Sequence, residues 1–450
     1  MKLINRRCLA NGIFGLLTLI LGVASLSFGQ TGTNPAAQAA LVTEFDVNGL
    51  KVLIKKRPNS QTVSAGLFIR GGSRNLTPQS AGIESFALNA ATEGSVKFPK
   101  AVLRRELART GSSIGSGSNY DFSVLSLAST RQNFDRSWEL FTDIAINPAF
   151  AQTDVDLTRD KILSALKGQE DDPDGFLQAM IEKTINVNTP YANDPDGTIE
   201  NISRFKADDL KAYHKNLMQT SRLLLVIVGD LNPELLKQRI ADSFGKLPRG
   251  NYKDAAFTGL DFSKPTLDVT TRSLPTNYVE GLFNAPSLNN PDYYAMRVAT
   301  TLLRDRVFEE VRVKRNLSYA PNAEMSERGA NTGNIYVTAV DANQAVSLML
   351  QEIEKLKSVP VEEQDISGVS GQFLTTYFLG EETNAAQAAE LARYEMLGGG
   401  WRNAFEYLAH IKQVKAGDVQ NVAKKYMKNL RFVVVGNPSA INRTVFIPGS

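Results

Sequence analysis

Two stretches of this chain set out the same residues in the same order. "KADDLKAYHKNLM" (206–218) leads into "RLLLVIVGD" (222–230), and "KAGDVQNVAKKYM" (415–427) leads into "RFVVVGN" (431–437). Lys-Ala-x-Asp, a later Lys, Met and Arg recur before an apolar run that ends Val-Gly. Each copy reads as an amphipathic helix followed by a buried strand, and a repeat of that kind marks an internal duplication. At 450 residues the chain holds two or three domains. The repeat selects two homologous α+β domains, each a mostly antiparallel sheet packed with helices.

The rest of the chain follows the same grammar. In the first half, "LKVLIKKR" (50–57) and "TVSAGLFIRGG" (62–72) read as strands, "AVLRRELART" (101–110) as helix and "FSVLSLAS" (122–129) as strand. In the second half, "TLDVTTR" (266–272), "NYVEGLFNAP" (277–286) and "GNIYVTAV" (333–340) are strands, with a long helix over "YAMRVATTLLRDRVFEEVRVKR" (294–315). "FGKLPRGNYKD" (244–254) has the Pro, Gly and alternating charge of a connection. The expected boundaries are 41–246 for the first domain, 247–262 for the linker and 263–450 for the second domain.

The first thirty residues stand apart. A basic "MKLINRR", an apolar "IFGLLTLILGVASLSF" and a small, polar continuation make a secretory signal peptide with cleavage near Gln30, followed by a flexible leader over 31–40. The expected destination is periplasmic or extracellular, with membrane attachment only if the segment stays uncleaved. Lys2, Arg6 and Arg7 carry the formal +3, so the mature chain sits at 3 − 3 = 0 and keeps no basic patch for nucleic acid. Cys8, the single cysteine, also lies in this segment. Disulfides, cysteine metal sites and a cysteine nucleophile are thereby excluded from the mature chain.

Several motifs invite chemistry and fail on context. His214 and His410 are the two histidines, far apart in sequence, and read as packing or surface residues. A zinc-binding helix needs two imidazoles about four residues apart. "GSSIG" (111–115) fits a serine-elbow pattern but follows a helix and precedes a strand, the reverse of what the elbow requires, so Gly111 reads as a helix cap before a polar turn. "EDDPDG" (170–175) approaches a calcium loop, but Ile181 stands where the closing glutamate belongs, so it reads as a solvated acidic turn. In "FEEVRVKRNLSYAP" (308–321), Val307, Phe308 and Val311 are expected inward. Arg312 and Tyr319 can meet across the helix-to-strand turn, where both are donors suited to a peptide carbonyl. The plainer reading of the same residues is a surface ion pair and a core tyrosine.

"AGIESFALNAATEGS" (81–95) reads as a helix starting after Gly82, with Ile83, Phe86, Ala87 and Ala90 as an apolar face and Ser85, Leu88, Asn89 and Thr92 as a second stripe. Together with "GLKVLIKKR", "AGLFIRGGSRN", "TPYANDPDGTIENI" and "RVFEEVRVKRNLSYA", it resembles the insulinase/pitrilysin family of inverted-zincin peptidases, in particular its short two-domain members. The resemblance implies two similar α+β halves that form a clam-like half-chamber around an unfolded peptide. The family's H-x-x-E-H motif falls on Ser85, Leu88 and Asn89, and its downstream glutamate ligand near Ala165. A hydroxyl, an isobutyl group and an amide neither hold zinc nor activate water.

The family's arginine and tyrosine that grip the scissile peptide match Arg312 and Tyr319. The resemblance therefore implies a chain inactive alone and without a metal of its own, partnered by a zinc-bearing subunit of the same family. Arg312 and Tyr319 are the expected catalytic and substrate-binding residues of that heterodimer, and the substrate is an extended peptide. Two other readings stand beside it: a non-catalytic peptide-binding or assembly subunit, and a degenerate enzyme with a different metal site.

Overall fold

The structure, a computed structural model, describes residues 34–257 and 259–447. The signal segment and the start of the leader lie outside the described residues. Among the described residues no helix is long and apolar enough to cross a membrane.

The chain folds as α+β around two sheets. The first contains β1 (Val42–Val47), β2 (Leu50–Lys56), β3 (Thr62–Arg70), β4 (Ser113–Ser118), β5 (Phe122–Thr130) and β6 (Leu223–Gly229), in the order β1-β2-β6-β3-β5-β4. The second contains β7 (Thr266–Thr271), β8 (Asn277–Asn284), β9 (Asn322–Met325), β10 (Thr332–Ala339) and β11 (Arg431–Gly436), in the order β7-β11-β8-β10-β9. β6 runs parallel to β2 and antiparallel to β3; β11 runs parallel to β7 and antiparallel to β8. Without β1 the two sheets have one topology, so the duplication read from the sequence is a duplication of structure.

The repeated Lys-Ala-x-Asp has a mechanical meaning. Lys206 and Lys415 are extended residues at helix starts, and their backbone N–H groups donate to Asp209 at 2.8 Å and Asp418 at 3.0 Å. The aspartate three residues into each helix thus satisfies a backbone donor that the helix leaves free. The helices Ala207–Leu217 and Ala416–Tyr426 then end on Met218 and Met427 in nearly the same conformation, φ −78°, ψ 63° and φ −79°, ψ 62°. Each turn feeds a strand whose apolar run, Leu223–Val228 or Phe432–Val435, is buried.

A buried strand needs cover on both faces, and the two halves supply it to each other. The helix Asn384–Leu397, from the second half, packs on β3 and β6 and joins one core with Leu53, Phe68, Leu224, Val226 and Val228. The helix Pro173–Thr184, from the first half, packs on β8 and β11, placing Leu177 and Ile181 with Leu282, Val433 and Val435. The other face of the first sheet is closed by Phe134, Trp138 and Phe141 of the helix Phe134–Ile146.

Five local readings are refined. Residues 34–40, expected within a flexible leader, contain the helix Pro35–Ala39; Asn34 caps it and Ala39 packs against the large core. β1 is an additional strand, paired antiparallel with β2. The polar turn after Gly111 is strand β4, an edge strand whose Gly and Ser residues give little strand signal; Gly111 itself caps the preceding helix at φ 61°, as expected. The connection after residue 246 forms no helix or strand through residue 257 but is tied down. Tyr252 accepts from Asn75, Asp254 pairs with Arg70, and Arg74 lies 4.5 Å from the Phe257 ring centre while donating to the Ala255 carbonyl. "EDDPDG" is a helix–helix corner, where Asp172 caps the helix Pro173–Thr184 by accepting from the Gly175 N–H.

Candidate functional site

The helix on the zinc-motif positions spans Ile83–Ala91 and starts from Gly82 at φ 90°. A side chain at Gly82 would meet the Gly197 backbone at 2.7 Å, so this start requires glycine. Ile83, Phe86, Ala87 and Ala90 face a core with Phe150, Leu166, Ile202 and Leu210, as their spacing predicts.

The second stripe is taken up by packing and hydrogen bonds. Ser85 Oγ donates to Asp196 at 3.4 Å, and Asn89 Nδ2 donates to the Ser85 carbonyl at 2.8 Å. Asn89 Oδ1 accepts from Ser116 of β4 at 3.3 Å, while Leu88 is fully buried in the core of the first sheet. Ala165 is exposed on the helix Gln152–Asp171. Among the described residues no three His, Cys, Asp or Glu side chains are grouped to hold a metal ion. These residues do not fit zinc.

A residue that the sequence did not single out holds this helix in place. Glu84 is buried and accepts from Ser123 at 2.6 Å, Tyr213 at 2.6 Å and Arg222 at 3.3 Å. It ties the helix to β5, to the helix Ala207–Leu217 and to the approach to β6. Burial, followed by the carboxylate's charge, pushes the Tyr213 phenol well up, so it remains a donor. Its partners come from three remote segments, and no local pattern announces them.

Arg312 and Tyr319 are brought together. The helix Tyr293–Val307 continues into a single wider π-helical stretch, Phe308–Val313, a feature found frequently at functional sites. Val307 and Val311 are buried as expected, but Phe308 is 45% exposed, a correction to its expected inward position: the inner face is taken by Val307 and Val311, one turn apart. Asn316, at φ 51°, reverses the chain, and its Oδ1 accepts from Arg312 Nη1 at 2.9 Å. The Arg312 guanidinium then lies 4.7 Å from the centre of the Tyr319 ring, and Tyr319 is 79% exposed rather than in the core. Glu310 occupies the neighbouring cations: Lys314 and Arg315 both pair with it and hold its carboxyl down at about 2. Among the described residues no carboxylate pairs with Arg312.

The two histidines have packing roles. His214 is buried edge-on to Phe150, and burial lowers it to about 4 against one hydrogen bond to the Ala145 backbone. His410 is exposed and stacks on Tyr294 at 4.5 Å.

Residues 51–197 match the family model described as "Insulinase (Peptidase family M16)", and residues 204–372 match "Peptidase M16 inactive domain". An uncharacterized zinc protease of Rickettsia felis is 20% identical over 87% of this chain and 96% of its own length. The non-peptidase homolog YmxG of Helicobacter pylori is 21% identical over 94% and 98%. Among solved structures, a protease from Helicobacter pylori superposes with a TM-score of 0.81 at 17% identity, covering 88% of this chain and 99% of that one. With the duplicated sheet topology and the altered stripe of the Ile83–Ala91 helix, these likenesses identify the chain as a member of the insulinase family that has the peptidase fold without the zinc motif.

Proposed function

We propose that this chain is the zinc-free subunit of an exported, two-chain insulinase-like metallopeptidase. The partner is a family member that carries H-x-x-E-H and its zinc. This chain contributes Arg312 and Tyr319, which donate hydrogen bonds to the carbonyl of an extended, unfolded peptide and to the oxyanion formed as that carbonyl is attacked. The observation that carries the reading is the pair itself: a guanidinium with no carboxylate partner among the described residues, lying against a phenol ring that stands out into solvent. Export on residues 1–30 places the assembly in the periplasm or outside the cell.

The test is to purify the chain alone and together with its H-x-x-E-H relative and to follow cleavage of an unfolded peptide. The chain alone is expected to be inactive and the pair active. Arg312→Ala and Tyr319→Phe each lower turnover of the pair by about a hundredfold, the usual effect of losing one oxyanion donor, and leave the complex assembled. Chelator-sensitive cleavage by the chain alone overturns the assignment.

A second reading has its own observation. Phe308, Val313 and Tyr319 are all exposed apolar side chains of the segment 308–319. A subunit that only binds or assembles would use them as contact surface, and the Helicobacter relative is named a non-peptidase homolog. In that case the two substitutions leave turnover unchanged.

A further inference from the structure

One face of the second sheet is closed by the helix Pro173–Thr184 over β11 and β8, and the cover stops before the β9 edge. Beyond it the face turns polar, with Glu280 on β8 beside Tyr336 on β10, and Asn334 on β10 beside Glu324 on β9. A cavity of about 280 Å3 opens here between the sheet and the helix. At about 30 Å3 per water it has room for roughly nine waters or one long side chain.

The wall of this cavity carries two carboxylates, Glu280 and Glu324, with no cation in contact with either among the described residues. Glu280 is 5% exposed, and among the described residues its carboxylate accepts hydrogen bonds only from two neutral amides, Asn334 at 2.7 Å and Gln178 at 2.6 Å. Glu324 takes one long contact, 3.4 Å, from Asn322. Among the described residues no lysine or arginine pairs with either acid. Arg328, also on the wall, lies 4.1 Å from the Tyr120 ring centre and 3.8 Å from Glu182, and its charge reaches Glu280 without direct contact. An independent sign comes from Asn186, which lines the cavity and is 1% exposed. Its Nδ2 is given to Glu182 at 2.5 Å, and its Oδ1 has no donor.

A buried acceptor without a donor costs about 1–3 kcal/mol, and a buried carboxylate ordinarily has a cation beside it. Burial pushes the Glu280 carboxyl up, and the two amides and the more distant charge of Arg328 offset this only in part. The missing complement is a group with positive charge and several N–H donors, which among side chains means a guanidinium or an ammonium.

We propose that this cavity receives the arginine or lysine side chain of an extended peptide bound to the chain. A peptide is favoured over a free cation by position. β9 is the edge strand of its sheet, and Asn322 begins it three residues after Tyr319. Two residues of that strand, Asn322 and Glu324, line the cavity, so its wall and the Arg312/Tyr319 segment are neighbours along the chain. That placement rests on the function proposed above for the pair; the cavity's selection for a cation does not.

The experiment uses the full mature chain without a partner. An unstructured decapeptide with one arginine is titrated against the same peptide with neutral citrulline in its place, by calorimetry. The arginine peptide is expected to bind at least about tenfold more tightly, a conservative effect for a close charge pair at an interface. Glu280→Gln and the exposed Glu324→Gln each reduce that ratio, and together they abolish it. Thermal melts confirm folding; if Glu280→Gln fails to fold, Glu324→Gln carries the test. Equal affinity for the two peptides, or a ratio that survives both substitutions, overturns the proposal. Arg312→Ala, assayed with the zinc-bearing partner, lowers turnover and leaves the ratio intact, so failure of the cavity and failure of the Arg/Tyr pair give different results.

Discussion

At the scale of single residues, Ser85, Leu88 and Asn89 show how a metal site is lost while its helix stays. Leu88 turns one motif position into core, and Ser85 and Asn89 spend their polar atoms on Asp196, on the helix backbone and on Ser116. The loss was legible because metal binding depends on residue type at fixed spacing. Arg312 and Tyr319 were legible as a pair for the same reason. Glu84 was not, since a buried carboxylate is defined by its partners and those are assembled only by the fold. Two titrating groups give a prediction at this scale. Burial raises Asp194 to about 6 from its usual 3.8, so it favours the fold below about pH 4 and that contribution is lost as pH rises through 6. Burial lowers His214 to about 4 from 6.5, so its neutral form favours the fold above 6.5 and that contribution is lost as pH falls toward 4. The two oppose each other between these limits. In thermal melts from pH 4.5 to 7, Asp194→Asn should gain on the parent as pH rises. His214→Gln, less stable than the parent at pH 7, should narrow its deficit as pH falls. Differences from the parent that stay flat with pH in both variants would contradict these assignments.

At the scale of elements, the order of helices and strands follows from hydrophobic period, and the departures have definite causes. β4 was missed because an edge strand built of serine and glycine buries too little to require apolar residues. The π-helical stretch was missed because it adds one residue to a turn without changing composition. The strongest element-level signal was the repeated Lys-Ala-x-Asp, whose physical content is one backbone donor satisfied at the start of each equivalent helix. Asp209→Ala and Asp418→Ala should therefore cost similar amounts, about 0.5–1.5 kcal/mol each. The two sites lie in different halves, so the double variant should lose close to the sum. Denaturant midpoints at unchanged slope check this; a large cost at one site and none at the other would break the equivalence of the two halves.

At the scale of the molecule, each half completes the other. Pro173–Thr184 and Asn384–Leu397 are helices that join the two halves; periodicity states only that a helix face is apolar, not which sheet it covers. Each crosses to the opposite sheet, and polar contacts follow the same route. Lys55 of β2 is buried against Glu381, next to the second crossing helix, and Asp121 accepts from Tyr191 in its own half and from the Gly329 N–H in the other. Burial lowers Lys55 and raises Asp121, so each depends on its partner across or beside the junction to remain charged at modest cost. A first half released from the second would expose Leu53, Phe68, Leu224 and Val226 on one continuous sheet face and leave Lys55 without its acid. The duplicated chain should therefore unfold as one cooperative unit. Calorimetry of residues 31–450 is expected to give a single transition whose calorimetric and van't Hoff enthalpies agree, and residues 34–246 expressed alone should aggregate. Two resolved transitions, or a soluble and folded first half, would mean that the crossing helices decorate two independent domains instead of closing both cores.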